Sequence, residues 1–388
     1  MPLYEGIALI HEKQAVVLDI GAAYTKFGFT GEPSPRCIIP SEYTCPKTKE
    51  VKNVFEFKSI EELYNTLYSG TGNNRNAYSR YIGVSSVLFV PKPLVSVCAL
   101  GVSTVLVVDL GYEEAVVMPV VHGVPLLKGW AAQALAARHL HRRLAMMLSE
   151  DNGGDLKLTE KVIEDIKVKT CLVTSMERAE QYALGSPPPP APAVSYPLGG
   201  CSTLTVQGRT RELAAEVLFP RDNDNLALGS IILDSILKCP IDTRIPLSES
   251  ILLTGGTAML PGIKARLKTE LEHLLTQPLY KDRCFLKEFK FHTAPAKENY
   301  IAWLGGAIFG GTDLINTRSL SRDCYLKNLR VPDWPNHIDN SFTQQDHNMN
   351  IFSNSKAFLH SKNIFLRVTY YIVTSAVMRL VKHNVDCS

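Results

Sequence analysis

Val16-Val17-Leu18-Asp19-Ile20-Gly21 is echoed 90 residues later by Val107-Val108-Asp109-Leu110-Gly111. Each stretch is an apolar run ending in an aspartate and a glycine, and each continues into a second apolar run, at 24–30 and 115–121. A buried strand, a tight turn and a returning strand is the simplest reading of such a unit. The repetition points to a duplicated α/β domain with its two aspartates facing one cleft. Two carboxylates beside two glycine turns suit a metal-bound nucleotide, because glycine lets backbone N–H groups approach phosphate oxygens. Taken alone, the echo fits two ordinary hairpins with Asp-x-Gly turns equally well.

Composition narrows the class. The 388 residues are 45% hydrophobic and 20% charged, ordinary for a globular chain long enough for two domains or one large duplicated fold. The net charge of +3 arises from 41 basic and 38 acidic residues that are well mixed, so nothing calls for nucleic acid or a membrane surface. Nine scattered cysteines without a C-x-x-C pair read as reduced thiols of a cytosolic protein. His139 and His141 lie in an Arg-rich helical stretch and read as solvated. Lys13 and Asp19 interrupt the early apolar residues, which argues against a signal peptide. The uncharged stretch 93–108 has only 16 residues and fits a core helix running into a strand.

Periodicity places strands at 15–20, 24–30, 104–109, 115–121 and 250–254, and amphipathic helices at 59–68, 128–148, 159–170, 226–238 and 262–275. Asp165 and Lys169 form an i,i+4 pair on one of these helices. Six prolines fall within 185–200, four of them consecutive at 187–190, which gives an extended polyproline II segment at the surface. A stiff connector is the favoured reading over a docking site, since no P-x-x-P with a flanking basic residue is obvious. After Trp334 the chain becomes Asn- and His-rich, then apolar over 364–381, where Arg367 and Arg379 leave 11 uncharged residues between them. That length is too short to span a membrane and suits a strand, an amphipathic helix or an unordered tail.

A third signal is Ile251-Leu252-Leu253-Thr254-Gly255-Gly256-Thr257-Ala258-Met259-Leu260-Pro261-Gly262. A buried strand enters a double glycine, which lets a planar base or sugar lie on the backbone, and a helix follows near Pro261 with free N–H donors. In Trp303-Leu304-Gly305-Gly306-Ala307-Ile308-Phe309 the small residues read as a device for close helix–sheet packing.

With these motifs in place the chain resembles the actin family. VLDIGAAYTKFGFTGEPSPRCIIPS (17–41) is similar to the family's first phosphate loop and LVVDLGYEEAVVMPVVHG (106–123) to its second. EDIKVKTC (164–171), TGGTAMLPG (254–262) and AWLGGAIF (302–309) are similar to its nucleoside-side and hinge segments. The resemblance covers 15–42 and about 77–334 of this chain. It implies an α/β, duplicated ribonuclease-H-like fold of two lobes, shared with heat-shock and sugar-kinase ATPases, with four subdomains around an ATP–Mg²⁺ cleft. Subdomain 1 would comprise 1–32, 71–100 and 300–334, subdomain 2 a degenerate 33–70, subdomain 3 101–135 and 224–299, and subdomain 4 136–223 with the proline insert; 335–388 is a tail without assignment. Asp19, Gly21, Lys26, Asp109, Gly111, Lys167, Gly255, Gly256, Thr257 and Met259 match the nucleotide positions, with Asp19 and Asp109 holding the metal through water.

The departures fall on catalysis. A Gly-Ser-Gly turn reads Gly21-Ala22-Ala23, losing a hydroxyl aimed at the terminal phosphate; a left-handed Ala23 would cost on the order of 1 kcal/mol. Tyr112-Glu113 replaces Asp-Gly in the second turn and crowds the phosphate pocket, with Glu113 turned to solvent. Lys92 stands where a water-positioning glutamine is expected, and a charged lysine cannot accept a proton. Val168 replaces a ribose-facing glutamate and Asn299 a basic residue near the base. Any bound ATP or ADP is therefore expected to be structural. Between Pro40 and Val84 the family has a loop that grips the next filament subunit, followed by a strand and a helix. Here SGTGNNRNA replaces roughly thirty residues, including a core strand, which is expected to leave unpaired ladder edges.

The insert before Tyr196-Pro197-Leu198 and the run CPIDTR (239–244) resemble the divergent actin-related branch at the pointed end of dynactin. The resemblance implies a cytoplasmic, cytoskeletal, non-polymerising subunit that contacts actin-related filament subunits and other pointed-end subunits, with no nucleic acid and no membrane insertion. Two rivals stand beside it: a nuclear actin-related subunit of a chromatin-remodelling complex, and an active ATPase of the shared superfamily. Arg142-Arg143 is the longest basic cluster found, which weakens the first; Lys92 and Tyr112 weaken the second.

Overall fold

The apolar runs fold into strands. β1 (Val16–Ile20), β2 (Tyr24–Phe29), β3 (Cys37–Pro40), β4 (Glu42–Thr44), β5 (Val51–Asn53) and β6 (Ser86–Pro91) come first. β7 (Val105–Leu110), β8 (Ala115–Val121), β9 (Val124–Pro125), β10 (Ala131–Gln133), β11 (Val194–Gly199), β12 (Ser202–Val206) and β13 (Ile251–Thr254) come next. β14 (Leu320–Ser321) and β15 (Tyr370–Ser375) complete the series. The computed structural model describes residues 15–44, 51–53, 86–154, 156–199, 202–220, 227–328 and 370–375. The chain divides into two units, Met1–Ala99 with Trp303–Ser388, and Leu100–Ala302.

The first unit is built on a six-stranded sheet ordered β14-β6-β15-β1-β2-β3. β1 and β2 form the expected hairpin, with Asp19 opposite Lys26. β15 lies between β1 and β6 and runs antiparallel to both, with Ile372 opposite Leu18 on one side and Phe89 on the other. This overturns the expectation of unpaired edges at the shortened 69–77 connection. β1 and β6 carry fully buried Val16, Val17, Val87 and Val90, so water cannot satisfy the backbone groups between them. A strand from the tail does so on both sides at once. The tail thus supplies a strand at 370–375; the rest of 364–381, the proposed helix 59–68 and the segment 69–77 itself lie outside the described residues.

Helix Ile301–Gly310 packs through its small residues, but against a helix rather than the sheet. A Cβ on Gly305 would fall 1.7 Å from the Val95 carbonyl oxygen, so only glycine admits the helix Lys92–Leu100 at that distance. Contact with the sheet falls to fully buried Trp303, whose ring lies on Gly28 and whose Nε1 donates to the Val17 carbonyl at 3.2 Å.

The second unit holds the sheet β10-β8-β7-β13, with β9 also paired to β8. β7 and β8 form the second Asp–Gly hairpin, and β13 runs parallel to β7 with Thr254 beside Asp109. Leu106, Val108, Leu110 and Val117 of this sheet pack with Leu140, Leu144, Ile232 and Leu267 in one core. Each contributes roughly 1.5–3 kcal/mol on burial, which is what fixes the helices to the sheet. Three expected helices appear as Glu160–Thr170, Leu228–Leu237 and Ile263–Thr276. The one expected at 128–148 begins only at Ala137, because Ala131–Gln133 is drawn off as β10 to pair with β8.

Candidate functional site

Each unit carries its own Asp–Gly hairpin. In the first unit, cross-strand register brings Lys26 to Asp19, with Nζ 2.6 Å from Oδ2. Both groups are buried, Asp19 to 1% exposure, so removing either would strand a charge away from water. The other oxygen, Oδ1, is buried with no protein hydrogen-bond partner. A buried acceptor left over beside a neutralising lysine fits a water of a bound metal. Gly21 makes the turn: its N–H donates to the Tyr24 carbonyl at 3.1 Å, and a Cβ would lie 2.6 Å from that oxygen. Ser41 ties the turn to β3 by donating to the Gly21 carbonyl at 2.7 Å. Ala23 does not adopt a left-handed backbone, since His122 alone among the described non-glycine residues has a positive φ. The conditional strain at Gly21-Ala22-Ala23 does not arise.

In the second unit Gly111 repeats the turn, donating to the Glu114 carbonyl at 3.1 Å. Thr257 is 1% exposed and its hydroxyl donates to the Gly111 carbonyl at 3.1 Å, clamping the double-glycine turn onto the Asp109 turn. The two glycines of that turn do different work. Gly255 has φ +99°, and a Cβ there would lie 2.3 Å from the Leu110 carbonyl oxygen and 2.8 Å from Asp109 Oδ1. Gly256 has an ordinary helical backbone, φ −65° and ψ −36°, and open space where its Cβ would stand. The first glycine is required by the fold; the second keeps a surface bare, as a nucleoside lying on the backbone needs. Beside it, Met259, Lys264 and Glu298 line a hollow of about 330 Å³. Asn299 keeps a buried Oδ1 without a hydrogen-bond partner, a polar atom suited to a ligand amine. Within the first unit Asp19 Oδ1 fits a water of a bound metal; within the second, the bare face at Gly256 and the Asn299 Oδ1 fit a nucleoside.

Two expectations near the site, for His141 and Tyr112, need correction. Lys167, expected at the nucleotide, is 3% exposed and its Nζ lies 2.5 Å from Glu164 Oε2. His141 is not solvated: it is buried on helix Ala137–Asp151, in contact with Glu160 through Nδ1 and 2.7 Å from Glu164 through Nε2. Tyr112 turns to this cluster and donates to Glu160 at 2.6 Å, with the Arg138 guanidinium 5.3 Å from its ring centroid. Glu113 lies at the surface as expected, paired with Arg138 at 2.9 Å. Val168 is well exposed. Lys92 opens the helix after β6.

The Tyr112–Glu160–His141–Glu164–Lys167 chain joins two helices and the second turn, and sequence reading missed it. Burial acts to raise both carboxyls, but His141 outweighs it with help from Tyr112 at Glu160 and from Lys167 at Glu164. Glu160 is lowered, and Glu164 falls to about 2. Burial and Glu160 push the Tyr112 hydroxyl up to about 12. A carboxyl held below its ordinary 4.5 contributes stability above that value and loses it as pH falls towards 2. Glu164→Gln is therefore expected to lower the melting temperature at pH 7, with the gap from the native protein closing steadily between pH 4.5 and 3. A gap that stays constant over that range would show that Glu164 has no ionic role.

A family model described as Actin matches residues 10–80 and 79–328 of the chain. Actin-related protein 10 of Dictyostelium discoideum is 26% identical, over 86% of this chain and 91% of its own length. The SWI/SNF and RSC complexes subunit arp42 of Schizosaccharomyces pombe is 24% identical, over 78% and 93%. Centractin of Saccharomyces cerevisiae is 28% identical over 58% of each chain.

Proposed function

The chain belongs to the actin family, and from that premise we propose that it is a non-hydrolysing actin-related subunit of dynactin. It closes the pointed end of the actin-related filament and so supports dynein-driven transport along microtubules in the cytoplasm. One observation carries the capping reading. β4 and β5 form an isolated two-stranded ladder joined only by Cys45-Pro46-Lys47-Thr48-Lys49-Glu50, where the family's gripping loop would stand. The stretch 42–58 keeps no hydrophobic loop like the family's, and its segment 45–50 carries three charges and no large apolar side chain to bury against a further subunit. Such a protein ends a filament and cannot continue one.

Nucleotide is retained for structure. In the first unit Asp19 and Lys26, with Gly21 in the turn, would meet the metal and phosphate; in the second, Asp109, Gly111, Gly255, Gly256 and Met259 would serve phosphate and nucleoside. Bound ATP or ADP with Mg²⁺ would supply the charge that Asp19 and Lys26 meet in the first unit and the nucleoside that the Gly256 turn meets in the second. Turnover needs a group that orients water, and neither Lys92 nor a Tyr112 already bonded to Glu160 fills that role. Purified protein should release adenine nucleotide on denaturation and hydrolyse ATP no faster than buffer. Sustained phosphate release abolished by Asp109→Ala would sink the non-catalytic reading.

Assembly is the direct test. Alone, the protein should stay monomeric in salt and Mg²⁺; with a dynactin-type filament it should bind only the pointed end. A stable contact buries roughly 1,200–2,000 Å² in total, and the turn after β8 is one expected contributor. His122 and Gly123 there have φ 52° and 77°, a tight hairpin turn that presents Val124 at 39% exposure. Val121 is half-buried against the core, so Val124→Asp is the cleaner probe and should weaken capping about tenfold without loss of fold. Decoration of filament sides, or self-assembly in a sedimentation assay, would rule capping out. The similarity to arp42 favours a second reading, a chromatin-remodelling subunit. Mass spectrometry of proteins co-purifying with the tagged chain separates the two: filament subunits on one reading, a remodelling ATPase on the other.

A further inference from the structure

The proline insert is held flat against the second unit as a preformed ridge. Glu212 is 4% exposed and acts as its anchor. Its Oε1 accepts from the Ala191 N–H at 3.1 Å and from Arg178 at 2.8 Å, and its Oε2 accepts from Arg178 at 3.0 Å and from Tyr182 at 3.0 Å. Arg178 also donates to the Pro189 carbonyl at 3.0 Å, and Arg211 donates to the Pro192 carbonyl and, through Nε, to the Thr170 carbonyl at 2.8 Å. Gly208 lies so close beneath the ridge that a Cβ would fall 1.6 Å from the Ala191 carbonyl oxygen. This is more than a stiff connector requires.

Exposure along the ridge follows a three-residue period. Pro188, Ala191 and Val194 are half-buried, whereas Pro187, Pro189, Pro190, Pro192 and Ala193 are exposed. That is the period of a polyproline II helix with one edge on the body and two edges in solvent. Two adjacent free edges present the successive pairs Pro189-Pro190 and Pro192-Ala193, the spacing read by paired aromatic slots in a groove. Arg178 is neutralised by Glu212, but the positive charge missing from the flanking sequence is supplied by the helix Gly208–Leu213, through the exposed Arg209 and through Arg211, which donates to the uncharged carbonyls of Thr170 and Pro192.

We propose that the ridge at 187–193 is a docking site for an SH3-type domain, one whose aromatic groove has an acidic rim. The choice of partner rests on the two free edges, which match two apolar slots, and on Arg209 and Arg211, whose positive charge matches the acidic rim. Because Glu212 and the arginines have already ordered the segment, binding avoids most of the entropy that a free proline-rich peptide loses. The inference is independent of the capping reading, because it uses residues 187–193 and not the Val124 turn.

The test titrates the full chain against a panel of purified SH3 domains with acidic and neutral rims, following fluorescence of the groove tryptophan. At least one acid-rimmed domain should bind with a Kd of ~1–100 μM, more weakly at higher salt. The pair Pro189→Ala and Pro192→Ala should lower affinity by about tenfold at unchanged melting temperature. If that variant melts early, Ala193→Glu carries the test, since it places a like charge against the rim from an exposed position. Absence of binding across the panel, affinity indifferent to these substitutions, or binding of WW domains in place of SH3 domains would overturn the proposal.

Discussion

Ending the chain at Thr369 is expected to abolish the folded state of the first unit while leaving the second intact. The truncation removes only β15 and the residues C-terminal to it, yet β15 pairs with β6 from Pro91 to Ser86 and with β1 from Asp19 to Val16. Losing it strips two inner edges at once. Each lost backbone bond is worth about 1 kcal/mol net, and each buried group left unsatisfied costs about 1–3 kcal/mol more. The sum over two edges rivals the roughly 5–15 kcal/mol that holds a typical domain together. Ile372→Pro should act in the same direction with the chain length kept, because proline has no N–H for the ladder. Limited proteolysis would report it, with cuts spreading through residues 15–99 while 100–302 resists. A truncated protein that melts within a degree of the full chain would refute the role given to β15.

The second large effect separates neighbouring glycines. Gly255→Val should destabilise the second unit by roughly 2–6 kcal/mol, combining a strained backbone of about 1–3 kcal/mol with a similar overpacking cost. For a unit of this size that corresponds to a fall in melting temperature of roughly 5–20 °C. Gly256→Val should leave the nucleotide-free protein within about 0.5 kcal/mol of native, because its backbone is ordinary and its Cβ meets nothing. Nucleotide content should nevertheless fall sharply in that variant. Melting curves with and without added ATP, beside nucleotide released on denaturation, distinguish the two. Full nucleotide content in Gly256→Val would mean that this turn is not the nucleoside wall.

What could be read from the sequence was whatever is local. Both Asp–Gly hairpins, the strand into Gly255-Gly256 and three amphipathic helices are legible from apolar period and glycine placement within a dozen residues. The misreadings are non-local. His141 sits among arginines in sequence, and only the packing of helix Ala137–Asp151 against helix Glu160–Thr170 gives it two glutamates. Ala131–Gln133 has a helical composition, but an open edge on β8 claims it as a strand. Gly255 and Gly256 look alike until the parallel pairing of β13 with β7 sets one of them against Leu110. β15 was the hardest to foresee, since no pattern within 364–381 names a partner at 16–19.

That partner distance has a consequence for synthesis. A strand in the middle of a sheet normally finds its neighbours soon after it is made, but β1 waits for one that is translated about 350 residues later, at roughly 5–20 residues per second. For something between a quarter of a minute and more than a minute, the nascent first unit presents two apolar edges with nothing between them. The second unit, contiguous from Leu100 to Ala302, is complete in the meantime and free to fold on the ribosome. Production of this protein should accordingly depend on a holding chaperone that shields the β1–β6 slot until the tail emerges, and a ribosome stalled before residue 370 should carry one folded unit and one protease-sensitive one.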